Sequence, residues 1–484
     1  MNHALIFSVN NQHLIRNLGA HKIASWLRSN DWDVEVIDYA SHWPKQYLEE
    51  LCNKRVSSKT VFVGFSDTWG LPRSSADKFN NLISFVKKKF PHIKSITGSQ
   101  NLTACQIQSD YYIEGYGEYA VLEIVKHILG TSSEKLKYTL FRNGKLVRGA
   151  DYPAIFMKDL TVRYEARDFI QPNEQLGLEL SRGCKFQCDF CNYFPLAVKG
   201  DNFRTTENYI DNLRYLYDEF GVTSFYGADS TMNVNNEKLQ EFGEATAKLN
   251  WKPWVCAFTR ADLLIKHTAT WDAMIAMGYV SHHYGIETFN HESGKTVGKG
   301  MHPDKVKQGL LDIKDYFSTR AEYRATISLI AGLPYETETS IRQGVQWIYD
   351  QLPDEHLVVY PLFIPHPEKN SQYQKSLLSQ DYKKYGYVDL GSKELAWDEG
   401  IDWANTITNT THKQMLDFVS QDPLIAEKKL NRTPWLIGEL MQMSGLPRAH
   451  ALALKFKPFE AYKIYEDACK HLVKDYITGK INIR

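Results

Sequence analysis

The sequence predicts an α/β chain in three parts: a doubly wound parallel sheet, a partial βα barrel and a mainly helical C-terminal stretch. Three observations predict it. Short apolar runs alternate with helical patterns over residues 1–130, the alternation resumes over residues 171–370, and residues 371–484 are rich in Tyr, Lys and Trp with helix-capping signals. Alternating strand-like and helix-like segments are the mark of parallel sheets with crossover helices. The 484 residues are about three times a usual domain, so two or three packed domains are expected.

In the first part, ALIFSV (4–9), DVEVIDY (33–39), TVFVGFS (60–66), SIT (95–97) and DYYIEG (110–115) read as strands. The stretch from Leu18 to Ser29 reads as a helix with Ala20, Ile23, Ala24 and Leu27 on one face, and another helix starts near Glu118. This is a Rossmann-like unit, whose ligands bind at the strand ends. Residues 131–170 read as a linker with Pro and Asp breakers and a small hairpin signal at 138–145. Then LGLELS (176–181), TSFYG (223–227), PWVCAF (253–258), VSHHYGIE (280–287), YRATISLIAG (323–332) and HLVVYPLF (356–363) give six strands separated by helical segments, a partial (βα)6 TIM-type barrel with its site at the strand C-terminal ends. In the last part, Thr433 and Pro434 open a helix that Gly445 closes.

Charge and composition narrow the function. Lys plus Arg and Asp plus Glu both number 57, and 43% of residues are apolar, which excludes wholesale disorder and removes the broad field of a dedicated nucleic-acid or anionic-membrane binder. No apolar run reaches the ~18 residues of a membrane span, and the N-terminus shows no signal-peptide pattern. The seven cysteines are an odd number with three clustered, which suits a metal site in a reducing compartment, so a cytoplasmic protein is expected.

The strongest signal is SRGCKFQCDFCNYF, in which Cys184, Cys188 and Cys191 form a Cys-x3-Cys-x2-Cys triplet directly after the strand LGLELS. Three thiolates on a tight loop can ligate three irons of a four-iron four-sulfur cluster and leave one iron open. A structural zinc site normally needs a fourth protein ligand, and no Cys or His follows in ribbon or finger spacing.

This triplet, with Phe190 before its third cysteine and Arg182-Gly183 before its first, resembles the signature of the radical S-adenosylmethionine (SAM) superfamily. The resemblance implies a 4Fe-4S cluster whose open iron binds SAM, reductive cleavage to a 5′-deoxyadenosyl radical, and an external one-electron donor such as a flavodoxin or ferredoxin. It extends over residues 170–365. GADSTMN (227–233) puts Asp229 and Ser230 where the family has a Gly-rich or acidic segment near the SAM amino group, although the usual Gly-Gly-Glu is absent. HHYGIETFN (282–290) places Glu287 to bind the ribose or amino group, or alternatively as a buried structural carboxylate. SLIAGLPYET (328–337) offers Ile330 to the adenine and Gly332 for close backbone approach. Arg324, Arg260 and Lys299 are candidates to face the SAM carboxylate or substrate, or equally to form rim salt bridges.

Residues 1–130 resemble the cobalamin-binding-type domain that precedes many radical SAM cores, on VGFSDTW (63–69), ITGSQNLTA (96–104) and DYYIEGYGEYAVLEI (110–124). The resemblance offers Ser66, Thr68, Gly98 and Thr103 as cobalamin contacts, but Ser99 replaces the second glycine of the usual Gly-Gly. It implies cobalamin-dependent methyl transfer to an unactivated carbon or to phosphorus. The alternatives are a cobalamin-independent oxidation, cyclisation or rearrangement with a vestigial first domain, and a non-catalytic iron–sulfur or zinc protein. Cys52 and Cys105 lack the three-cysteine pattern of a second cluster, Cys256 and Cys469 read as core, and His282 and His283 read as structural or substrate-facing.

Overall fold

A computed structural model describes residues 1–9, 16–67, 73–99, 102, 105–153, 161–170, 172, 174–191, 203–366, 376–391 and 400–429. Among these the chain separates into two compact units, one from Met1–Gly177 and Asn212–Val222, the other from Leu178–Asp211 and the residues from Thr223 onward. No helix among the described residues is long and apolar enough to cross a membrane.

The first unit holds β1 (Asn2–Ser8), α1 (Leu18–Arg28), β2 (Trp32–Ile37), α2 (Lys45–Arg55), β3 (Thr60–Asp67), α3 (Arg73–Lys89), β4 (Lys94–Ser99), β5 (Tyr111–Glu114) and α4 (Glu118–Leu129). Its sheet runs β2-β1-β3-β4-β5 with every neighbouring pair parallel. Residues alternate across β1, so Leu5 and Phe7 join one core with Leu48, Leu51, Phe79 and Leu82, while Ala4 and Ile6 join another with Ala20, Ala24, Val121 and Ile124. Burial of both faces is why these strands read as near-continuous apolar runs. The chain order reverses between β1 and β3, where an open α/β sheet has its crevice. There Asn17 caps α1 by accepting from the Gly19 and Ala20 amides, and its Nδ2 donates to Ser66 Oγ at 3.1 Å.

The stretch expected as a linker instead extends this sheet. β6 (Thr139–Phe141) and β7 (Gly144–Arg148) form a hairpin, and β7 pairs in parallel with β5. The hairpin is held because Leu146 and Val147 are buried, an apolar pair too short to show a period in the sequence. Arg16 then ties the segment before the barrel to the sheet: its guanidinium grips Glu174 at 2.6 and 2.7 Å and Asp38 at 2.6 Å, with all three side chains buried.

The second sheet comprises β8 (Gln175–Leu178), β9 (Ser224–Gly227), β10 (Trp254–Thr259), β11 (Tyr279–Glu287), β12 (Arg324–Ala331) and β13 (His356–Pro361), laid down in chain order across the sheet. The pairs from β9 to β13 are parallel, which makes the partial barrel. Between the strands run α5 (Thr206–Phe220), α6 (Asn236–Thr246), α7 (Ala261–Lys266), α8 (Trp271–Ala276), α9 (His291–Thr296), α10 (Pro303–Ser318) and α11 (Glu338–Gln351). Local chemistry starts them: Asn235 and Asn290 cap α6 and α9, Pro303 occupies the first turn of α10, and Thr337 with Ser340 forms a capping box for α11.

After the barrel, α12 (Leu377–Gln380), α13 (His412–Gln421) and α14 (Pro423–Lys429) accompany a small antiparallel sheet of β14 (Tyr387–Asp389), β15 (Trp403–Asn405) and β16 (Thr410–Thr411). This sheet is an addition to the helical expectation, built on the buried Tyr387 and Trp403. The helix expected at 433–445 lies outside the described residues, as does Cys469.

Candidate active site

The cysteine loop leaves the sheet at the C-terminal end of β8. Asp229, itself buried after β9, clips the start of the loop by accepting from the amides of Leu180 at 2.9 Å and Ser181 at 2.5 Å and from Ser181 Oγ at 2.8 Å. Burial pushes its carboxyl up to about 6 even against these donors. The carboxylate is therefore committed to positioning the loop, whereas the sequence offered it to the SAM amino group. Its neighbour Ser230 is exposed, and the Ser230 carbonyl accepts from Thr231 Oγ1 at 2.7 Å.

Cys184, Cys188 and Cys191 are half-buried and none is in a disulfide. A turn brings the Cys191 amide to the Cys188 carbonyl at 2.9 Å, and Cys184 Sγ lies 3.8 Å from Thr231 Oγ1. Cys188 Sγ accepts from Arg260 Nη1 at 3.4 Å. Asp189, between the second and third cysteines, is held on three sides: its amide reaches the Val297 carbonyl at 3.3 Å, its carbonyl the Leu378 amide at 2.8 Å, and its carboxylate the Tyr385 hydroxyl at 2.6 Å. Phe190 is half-buried. Among the described residues no three His, Cys, Asp or Glu side chains converge on a single ion. Three half-buried free sulfurs on one loop, one of them beside a cationic N–H, are the donor type and charge environment that an iron–sulfur cluster takes.

Facing this loop is the end of β11. Glu287 is buried with φ 70, the left-handed region, and sits at a register shift between β11 and β12. A bulky residue held there costs about 1–3 kcal/mol, a strain typical of sites where a side chain must be aimed. Burial raises its carboxyl above the usual range, opposed by Lys299, whose Nζ lies 3.6 Å from Oε1 and donates to the Gly285 carbonyl at 2.7 Å. Gly298 lets the same loop pass the cysteines: with φ +83, a Cβ there would lie 3.6 Å from Cys188 Cα. Ile330 is half-buried near the C-terminal end of β12, opposite Tyr360 of β13.

Gly332, Arg324 and His282 have neighbours that the sequence did not show. Gly332 has φ +96, but the space its missing Cβ leaves is filled by the Trp403 ring, 2.4 Å from where that atom would lie. The close approach is internal packing, and it was illegible because Trp403 is far along the chain. Arg324 opens β12 at the opposite end of the sheet from the cysteines and donates to its neighbour's carbonyl, so it does not face the site. His282 is fully buried, bonded to Tyr284 and the Tyr279 carbonyl, and burial pulls it down to about 4, so it is a neutral core histidine. His283 packs against Phe258 with ring centroids 4.7 Å apart. The sequence missed Phe186, Asn233 and Asp262 around Arg260, and Glu336, which accepts from Thr288 and Ser340; only their motif neighbours carried a signal.

In the first unit, Ser66 and Gly98 pair across β3 and β4 at the strand ends, and a Cβ on Gly98 would meet open space. This is a strand-end floor that a flat ligand could approach. Thr68 and Thr103 lie outside the described residues. Cys52 and Cys105 are buried in the core with their thiols pushed up by burial, the former to about 12, and they are packing residues.

Residues 178–348 match the model of the radical SAM superfamily. The chain carries a radical SAM domain. That domain's family implies a 4Fe-4S cluster and SAM. Over 390 residues, 76% of this chain and 70% of its relative, the sequence is 23% identical to the hopanoid C-3 methylase of Methylococcus capsulatus. The fold is shared with TsrM, a radical SAM methyltransferase from Kitasatospora setae solved with cobalamin and a 4Fe-4S cluster, at a TM-score of 0.66 and 12% identity, covering 97% of this chain and all of that one. It is also shared with OxsB, a cobalamin-dependent SAM radical enzyme solved with aqua-cobalamin and SAM, at a TM-score of 0.66 and 12% identity over all of this chain and 73% of that one. The radical SAM domain thus follows a first domain of the same fold as in those two proteins.

Proposed function

We propose that the protein is a cobalamin-dependent radical SAM methyltransferase acting on an unactivated carbon. The observation that carries the reading is the cysteine loop bonded through the Asp189 amide to the Val297 carbonyl, in the segment whose Lys299 pairs with Glu287 at the end of β11. When bound, the cluster and cobalamin supply the electron that cleaves SAM and a carrier for the methyl group. The chain's own residues position them. Cys184, Cys188 and Cys191 hold the cluster, with Asp229 and Asp189 fixing the loop that presents them. Glu287 accepts hydrogen bonds from the ribose or amino group of SAM, and Lys299 opposes the upward push of burial on its carboxyl. Ile330 and Phe190 give SAM an apolar wall, and Ser66 and Gly98 the floor for cobalamin. The reading carries a reducing, cytoplasmic compartment and a small electron donor such as flavodoxin or ferredoxin.

Anaerobic reconstitution with iron, sulfide and hydroxocobalamin, followed by desalting and an absorption spectrum, tests it. Retained cobalamin is expected, together with transfer of label from methyl-labelled SAM to the corrin once a strong reductant has brought the cobalt to the Co(I) level. Cluster and SAM cleavage without retained cobalamin would overturn the methyl-transfer assignment in favour of oxidation, cyclisation or rearrangement.

A further inference from the structure

We propose that Arg260 is a positioning residue that sets the reduction potential of the cluster by donating a hydrogen bond to the sulfur of Cys188. The proposal rests on the assignment of the three cysteines to a cluster. The guanidinium is held on every side. Nη1 lies 3.4 Å from Cys188 Sγ, while Nε and Nη2 are committed to the Asp262 carboxylate at 2.9 and 2.8 Å. Its face stacks on Phe186, with the guanidinium carbon 3.8 Å from the ring centroid, and Phe186 belongs to the same cysteine loop. At its backbone, the Asn233 side chain accepts from the Arg260 amide and donates to the Arg260 carbonyl, both at 2.9 Å. Arg260 is 8% exposed and Asn233 1%, so the arrangement is preorganised in a largely dry setting.

Of the two roles the sequence offered Arg260, facing the SAM carboxylate or substrate and forming a rim salt bridge, the geometry shows the salt bridge, to Asp262. Each of the three guanidinium nitrogens already has a partner, and one partner is the sulfur. Reduction adds an electron to a centre that is already anionic. An N–H donor and a positive charge beside a ligating sulfur stabilise the reduced form more than the oxidised form, which raises the potential. Asp262, on the far edge of the guanidinium, opposes this by partly cancelling the charge. The two substitutions must therefore act with opposite sign, a pattern that a merely structural role for the pair does not produce.

The experiment uses the full-length reconstituted protein, without SAM, and reads iron content, cluster absorbance and an EPR-monitored redox titration. Arg260→Gln is expected to keep its iron and shift the cluster potential to a more negative value. Arg260→Lys, which keeps the charge but loses the planar fork, should fall between Gln and wild type. Asp262→Asn is expected to shift the potential to a less negative value. Wild-type potentials in Arg260→Gln and Asp262→Asn, or shifts of the same sign in both, overturn the proposal. If Arg260→Gln assembles no cluster, Asp262→Asn decides alone: a less negative potential supports the proposal and an unchanged or more negative one overturns it. A wild-type protein that takes up no iron–sulfur cluster defeats the underlying cysteine assignment and is distinguished by its missing absorbance.

Discussion

Glu287 shows how a single residue reports a site. A bulky acid buried with φ 70 carries strain of the kind that gathers at functional sites, and it pairs with Lys299. Glu287→Gln is expected to weaken SAM binding about tenfold with the cluster spectrum unchanged, as one charge-assisted hydrogen bond of about 1.4 kcal/mol would. Equilibrium binding of SAM to the reconstituted variant checks this, and wild-type affinity would return Glu287 to a structural role. At the same scale, the cysteine triplet stands out in the sequence because a ligand pattern is local. The partners of Asp229 and Gly332, the Leu180 and Ser181 amides and Trp403, and the placing of Arg324 at the opposite end of the sheet, were not legible there because they are set by the fold.

Between elements, buried polar contacts join segments that the hydrophobic pattern leaves unrelated. Glu336 is 1% exposed and accepts from Thr288 after β11 and from Ser340 in the first turn of α11. Burial pushes its carboxyl up to about 7. A carboxyl raised in the folded state binds its proton more tightly there than in the unfolded chain, so its contribution to stability is present at low pH and is lost as pH rises from about 4 through about 7. The stability advantage of wild type over Glu336→Gln should accordingly shrink by on the order of 3 kcal/mol across that window. Denaturant unfolding of both proteins at several pH values measures it. Gly332→Ala would force a Cβ into the Trp403 ring at φ +96 and should lower stability by about 1–3 kcal/mol, read as a fall in Tm. Removing Glu174 would leave buried Arg16 with Asp38 as its one carboxylate partner and should cost about 1–3 kcal/mol by the same measurement.

At the scale of the molecule, both wound sheets were legible because strands buried on both faces write long apolar runs whose order the crossover rule fixes. All six barrel strands lie within a residue or two of the expected apolar runs, apart from the earlier end of β8 at Leu178. The hairpin of β6 and β7 was read as a linker feature because Leu146 and Val147 gain their burial only from the neighbouring sheet. The β14–β16 sheet was not expected because its strands are two or three residues long and set by contacts distant in sequence.

The central claim is that Cys184, Cys188 and Cys191 hold a cluster that cleaves SAM. The most direct measurement is chromatographic detection of 5′-deoxyadenosine after anaerobic incubation of the reconstituted protein with SAM and a strong reductant, beside each Cys→Ala variant. The account predicts 5′-deoxyadenosine from the wild type and none from Cys184→Ala, Cys188→Ala or Cys191→Ala. A wild-type protein with an intact cluster spectrum and no 5′-deoxyadenosine, or a cysteine variant with full activity, would contradict it.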